Sequence, residues 1–210
     1  PMGYNTLSIN YIPYSFEKKH SDTKNILVIF GESLYSEHIN IYGYKRNTFP
    51  LITERFKNDK NWDVYSAMSP GIATATSTLL FFNLVREPAN HNEIKLKTNN
   101  LFKLAKMAGY KTYYFSNQES RLTMNLGAEY IDEIATHDSK PLFFNLYQDE
   151  GLAKMLNDID FSKGKNFIVL HIRTPHLPYE NRYKKRPEFR KFIPDTNTGD
   201  RLLYMTNTYD

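Results

Sequence analysis

Cysteine is absent from the 210 residues. That excludes disulfides, thiolate metal sites and a cysteine nucleophile, and leaves the compartment open, because a core of this size needs no covalent staples. No apolar run approaches the ~20 residues needed to cross a bilayer, and no secretory signal opens the chain. A dinucleotide-binding glycine pattern is also lacking, and so is any nucleic-acid-binding module signature. No internal repeat is present, and the only low-complexity patch is Ala73–Thr78, ATATST.

What is present suits one sizeable globular core: 40% hydrophobic and 24% charged residues. The net charge of +4 and a pI near 9.0 favour an anionic partner. The basic run Arg182–Lys191 concentrates that charge. A membrane surface or charged substrate fits better than nucleic acid, which is not expected as a partner. Residues 1–24, rich in Tyr, Pro and Lys without periodicity, are expected to form a linker or surface arm.

From Ile26 onward, strand-like and helix-like runs alternate. Strands are expected at 26–31, 62–66, 110–116, 131–135 and 166–172, and helices at 49–57, 74–85, 99–108, 149–158 and 197–209. The alternation predicts an α/β domain with a largely parallel sheet flanked by helices. Its best-supported unit is 98–116, where Leu101, Leu104, Ala105 and Ala108 share a helical face, Gly109 suits the turn after it, and an aromatic strand follows.

Ligands of open α/β sheets collect at the carboxyl ends of strands. The residues after each expected strand are few: Gly31, Glu32 and Ser33; Ser69 through Ser77; Ser116, Asn117, Gln118, Glu119 and Arg121; His171, Arg173 and His176. A carboxylate, hydroxyls, an amide, guanidinium groups and imidazoles fit metal-assisted phosphoryl transfer better than dinucleotide binding. An ionised Glu32 at the end of an apolar strand is costly unless it meets a cation or donors. The hydroxyls of Thr74, Thr76, Ser77 and Thr78 fall in the first turns of a helix, whose free N–H groups favour anions; simple capping is the plainer reading.

The segments Ile29-Phe-Gly-Glu-Ser33, Tyr42-Gly-Tyr-Lys-Arg-Asn-Thr-Phe-Pro50, Pro70–Ser77, the strand after Gly109, Asn117 with Arg121, and Leu170–Tyr179 together resemble the catalytic domain of the phosphoethanolamine transferases, in the alkaline phosphatase and sulfatase superfamily. The resemblance runs from about Asn25 to the last residue. It implies that Glu32 and Thr74 bind Zn2+, that Thr74 is the nucleophile, and that Asn117, Arg121 and His176 contact substrate. Arg121 stands where a lysine is often found, and would hold phosphate by a planar fork. His171 is expected to be structural and His38 to orient its loop.

The implied reaction carries phosphoethanolamine from phosphatidylethanolamine, through a threonine-linked intermediate, to lipopolysaccharide or another glycan. The implied location is the periplasmic side of a Gram-negative inner membrane, with a membrane segment upstream of the arm and residues 25–210 as the N-terminal part of the catalytic domain. A sulfatase or phosphoglycerol transferase of the same fold, or a non-catalytic domain holding anionic glycolipid, are the alternatives. Family members known for polymyxin resistance carry several disulfides here, so the resemblance is nearer to a cysteine-poor branch with other acceptors. The family's Asp-His-Gly-Glu metal segment lies beyond a helix resembling 201–210. The 210 residues alone are therefore expected to be an incomplete sheet, to bind zinc weakly and to be inactive without the remaining piece.

Overall fold

A computed structural model of the chain describes residues 22–85, 94–95, 97, 99–123, 126–179, 181, 188 and 191. Its elements in order are β1 (Asn25–Phe30), α1 (Pro50–Asn58), α2 (Thr74–Phe82), α3 (Leu101–Met107), β2 (Tyr110–Ser116), β3 (Glu133–Thr136), α4 (Pro141–Tyr147), α5 (Glu150–Asn157) and β4 (Lys165–His171). The four strands form one sheet in the order β1-β4-β2-β3, and every pairing is parallel.

Parallel strands buried on both faces read as continuous apolar runs, and β4 is the case in point. Phe167 and Val169 point into one core with Phe82, Phe102, Tyr114 and Leu126, while Ile168 and Leu170 point into the other with Tyr113, Phe115, Phe144 and Leu152. The helices α2 and α3 thus cover one face, and α4 and α5 the other. Register places the ends of three strands side by side: Phe30 pairs with His171, and His171 with Ser116.

The first core is pinned by a buried polar knot. Asn100 caps α3 by accepting from the amides of Phe102 and Lys103, and donates through its carboxamide to Asn83 Oδ1 and Leu126 O at 3.0 and 2.8 Å. An alanine there would forfeit the cap and strand two buried acceptors, so Asn100→Ala is expected to cost about 3 kcal/mol in urea unfolding. A loss below about 1 kcal/mol would mean that water replaces the knot.

Three expectations need correction. No strand forms at 62–66: every residue from 60 to 70 is exposed, and no described strand lies beside it. Trp62 instead packs on Phe56 and donates to Asp59 Oδ2. Helix α4 went unrecognised because seven residues hold too little periodicity to read; Pro141 starts it, and Gln148 at φ +52° breaks it from α5. The helix expected over 74–85 ends at Phe82, where the Asn83 side chain bonds back to Leu79 O and Leu84 turns to φ +50°. The helix expected at 197–209 and the arm, but for residues 22–24, lie outside the described residues.

Candidate functional site

Glu32 sits two residues beyond the end of β1 and is only 7% exposed. Thr74, the first residue of α2, donates its hydroxyl to Glu32 Oε2 at 2.7 Å across 42 residues of sequence. Ser33 Oγ donates to Glu32 Oε1 at 3.0 Å, and Gln118 Nε2 lies 3.4 Å from Oε2. Glu32, Ser33 and Thr74 border a cavity of about 270 Å3 between the loop after β1 and the start of α2.

The hydroxyls in this turn are not caps. No side chain caps α2; Ser77 Oγ donates to Gly71 O at 2.7 Å, and Thr78 Oγ1 donates to Thr74 O at 2.7 Å. Ser69 Oγ closes the clasp, donating to Gly71 O and lying 3.0 Å from Ser77 Oγ. Gly71 is required by close approach: a Cβ there would come within 3.0 Å of the Ser77 amide. Thr74 alone among these hydroxyls is aimed at Glu32.

Beneath Glu32 lies His171, fully buried, with Nε2 3.7 Å from Glu32 Oε2 and no hydrogen-bond partner for that nitrogen among the described residues. Its Nδ1 is 2.8 Å from the buried Tyr114 hydroxyl. Burial, reinforced by the charge of Glu32, pushes the Tyr114 phenol far above its ordinary range, so it keeps its proton. With Tyr114 donating to Nδ1, Nε2 carries the ring proton and faces the carboxylate. The other tautomer would set a lone pair against a buried anion.

Burial works to raise the Glu32 carboxyl, but His171 and the Thr74 and Ser33 hydroxyls outweigh it and hold the group below its usual 4.5. A folded value below the unfolded one stabilises the fold fully above pH 4.5, and that contribution is lost as the pH falls through the folded value. The gap in urea midpoint between the wild type and Glu32→Gln should therefore shrink on acidification below pH 4.5. A gap constant through that window would contradict the assignment.

The remaining sequence-named residues are placed as follows. Asn117 is buried, and its Nδ2 donates to Asp149 Oδ1 at 2.8 Å, while its Oδ1 has no partner among the described residues. Asp149 also accepts from the amides of Arg173 and Thr174 at 2.9 and 2.8 Å, tying the loops after β2 and β4 to the start of α5. Arg121 is exposed on the turn Ser120–Thr123, and His176 Nδ1 lies 2.8 Å from Leu177 O. Neither bonds Glu32 or Thr74. Thus the fold brings Glu32 and Thr74 together, puts Asn117 next to Gln118 of the same cluster, and leaves Arg121 and His176 outside that hydrogen-bonded group.

Sequence reasoning gave no role at the carboxylate to Tyr114, Gln118 or His171. The signal that could have found them is register, since equal strand ends at Phe30, His171 and Ser116 put the following residues in one layer.

A family model described as Sulfatase matches residues 24–210. The chain belongs to the sulfatase family. It is 26% identical over 199 residues to the Kdo(2)-lipid A phosphoethanolamine 7''-transferase of Escherichia coli K12, covering 90% of this chain and 34% of that protein. The chain therefore spans about a third of the length of such curated relatives. Among solved structures, the C-terminal periplasmic domain of EcEptC from Escherichia coli superposes with a TM-score of 0.70 at 21% identity, over 90% of this chain and 56% of that one. The same domain in complex with Zn gives 0.66 at 20% identity, over 92% and 57%. The integral membrane lipooligosaccharide phosphoethanolamine transferase A of Neisseria meningitidis gives 0.66 at 21% identity, over 94% and 40%. These likenesses establish the α/β fold of this sulfatase-family chain and its distant kinship with phosphoethanolamine transferases.

Among the described residues no cluster of three or more His, Asp or Glu is placed to hold a metal. The donors at the cavity nevertheless suit zinc in part. A buried carboxylate and a hydroxyl 2.7 Å apart are oxygen ligands of the right kind, and a catalytic zinc ordinarily takes a third protein ligand beside them. No described helix is long and apolar enough to cross a membrane.

Proposed function

We propose that this chain carries the nucleophile and part of the zinc site of a phosphoethanolamine transferase acting at the periplasmic face of an inner membrane. The donor in this reading is phosphatidylethanolamine, and the acceptor is lipopolysaccharide or another glycan. Residues 25–210 are then the N-terminal part of the catalytic domain, and residues 1–24 an arm leading from a membrane-embedded segment. The observation that carries the reading is the 2.7 Å bond from Thr74 Oγ1 to a buried Glu32 carboxylate at the amino end of α2.

Thr74 Oγ1 attacks phosphorus in line, forming a threonyl phosphoester as the bond from phosphorus to the glycerol oxygen breaks. The Thr74 proton, held against Glu32 Oε2 in the resting site, ends on the departing glycerol oxygen, and neutral diacylglycerol leaves. An acceptor hydroxyl then attacks the same phosphorus, and Thr74 recovers a proton. Glu32 and Thr74 would hold zinc, which would lower the hydroxyl pKa and polarise the phosphoryl oxygen. The N–H groups of the first turn of α2 face the developing charge, and His171 fixes the Glu32 carboxylate from below. Asn117, Arg121 and His176 bind the phosphoethanolamine group; for Arg121 and His176 this requires substrate to bridge from the cavity to their loops.

Mass spectrometry of Thr74 in the full-length protein after incubation with donor and zinc tests the reading. A phosphoethanolamine adduct is expected. A phosphoglycerol or sulfate adduct would assign the chain to another branch of the same chemistry. Absence of any adduct, with glycolipid binding insensitive to chelator, would favour a non-catalytic binding domain.

A further inference from the structure

A buried histidine with a purely structural role ordinarily has both ring nitrogens satisfied, and His171 departs from that pattern. It ends β4, between β1 and β2 in the sheet, and its buried Nε2 has no hydrogen-bond partner among the described residues. The ring is nevertheless firmly held. Phe30 of β1 meets it edge-on, with ring centroids 5.2 Å apart and planes at 89°, and the Tyr114 hydroxyl of β2 lies 2.8 Å from Nδ1. Three strands thus fix an imidazole whose unpaired nitrogen stands 3.7 Å from Glu32 Oε2, just beyond hydrogen-bond length.

That oxygen has another donor in the resting site. Thr74 Oγ1 bonds Oε2 at 2.7 Å, and the bond is lost whenever Thr74 is esterified, because the hydroxyl hydrogen is gone. Ser33 serves the other oxygen, Oε1. Gln118 Nε2 is divided between Oε2 at 3.4 Å and Ile172 O at 3.3 Å. Among the described nitrogens and hydroxyls around Oε2, His171 Nε2 alone makes no bond of its own. A buried carboxylate oxygen that loses its donor is destabilised, and a donor held in reserve relieves it.

We propose that His171 is a positioning residue, whose Nε2–H closes on Glu32 Oε2 when Thr74 gives up its hydrogen, with the Tyr114 hydroxyl holding the ring in place for that closure. This rests on the transferase reading and adds to it what keeps Glu32 in place while the threonyl ester exists. No proton passes to or from His171. Only a hydrogen bond changes hands, and a small tilt of the carboxylate toward the ring suffices.

Nitrogen-15 NMR of the full-length protein, labelled at histidine, tests the closure without any turnover. The Nε2 proton of His171, assigned by its loss in His171→Gln, is expected to move downfield in Thr74→Val, where a methyl group replaces the donating hydroxyl. A resonance unmoved by that change would overturn the proposal, as would a wild-type ring that carries its hydrogen on Nδ1.

Transfer from the Thr74 adduct to acceptor supplies the second readout. Replacing both members of a buried hydrogen-bonded pair by apolar groups of similar shape is nearly neutral for folding, so His171→Phe/Tyr114→Phe is expected to keep the wild-type urea midpoint. Its transfer rate should nevertheless fall about tenfold, and His171→Gln, whose amide N–H replaces Nε2–H, should recover most of that loss. Wild-type transfer in the double phenylalanine variant would overturn the role. A downfield shift in Thr74→Val, with no adduct on wild-type Thr74, would uphold the His171–Glu32 closure and remove the transferase reading instead.

Discussion

Thr74→Ala is expected to abolish the covalent adduct and to lower phosphoethanolamine transfer by at least about 10^4-fold, while Thr74→Ser retains an adduct. The selectivity follows from where each neighbouring hydroxyl is spent. Ser77 donates to Gly71 O, and Thr78 donates to Thr74 O. Thr76 is exposed on the helix, and of the α2 hydroxyls only Thr74 reaches the Glu32 carboxylate. No other hydroxyl of α2 can take over without unwinding its first turn. Serine keeps the attacking oxygen and loses only a methyl group, so the fall in rate should stay within roughly tenfold. An undiminished adduct in Thr74→Ala, mapped by peptide mass spectrometry, would move the nucleophile elsewhere.

A stability effect as large as that of Asn100→Ala is expected at Asp149. One carboxylate there receives the Asn117 carboxamide and the amides of Arg173 and Thr174, at 2.8 to 2.9 Å. Arg173 extends the network, donating to Asn117 O at 3.3 Å and pairing with Glu119 at 3.0 Å. Bonds to a charged acceptor each contribute about 1.5–3 kcal/mol, but Asp149 is only half-buried and water recovers part of what is lost. Asp149→Ala is therefore expected to cost about 3 kcal/mol, a midpoint shift of roughly 10 °C for a chain of this size. Asp149→Asn, which can still accept through one oxygen, should lose about half as much. Differential scanning calorimetry decides: equal midpoints for Asp149→Ala and wild type would mean that the loops after β2 and β4 hold each other without it. The same clasp carries Asn117 and the backbone that follows His171, so the alanine variant should also weaken whatever those loops bind.

Local chemistry made much of the fold legible. Apolar runs without alternation marked β2 and β4 as strands buried on both faces, and both lie within one residue of expectation. Gly109, at φ +82°, closes the turn between α3 and β2, where a left-handed residue was called for. The segment 62–66 shows the limit of that logic. Trp62, Val64 and Tyr65 have the composition of a strand, yet a strand exists only where a neighbour accepts its hydrogen bonds, and among the described residues none does. Helix α4 failed in the opposite sense: Phe143 and Phe144 are read by the sheet face they cover, not by any period of their own.

The sequence by itself determined which residue types stand at the strand ends, because a carboxylate after Ile-Leu-Val-Ile-Phe and a threonine opening an apolar helix are local facts with local costs. It also determined a parallel α/β architecture, since alternating strands and helices have few other ways to bury their apolar faces. Tertiary structure alone decided that Glu32 and Thr74 meet at 2.7 Å, that Ser77 and Thr78 turn away, and that His171 stands beneath the carboxylate with its free nitrogen toward it. The reason is strand order. Placing β4 between β1 and β2 brings residues 32, 118 and 171 into one layer, and no periodicity within any single segment encodes that order.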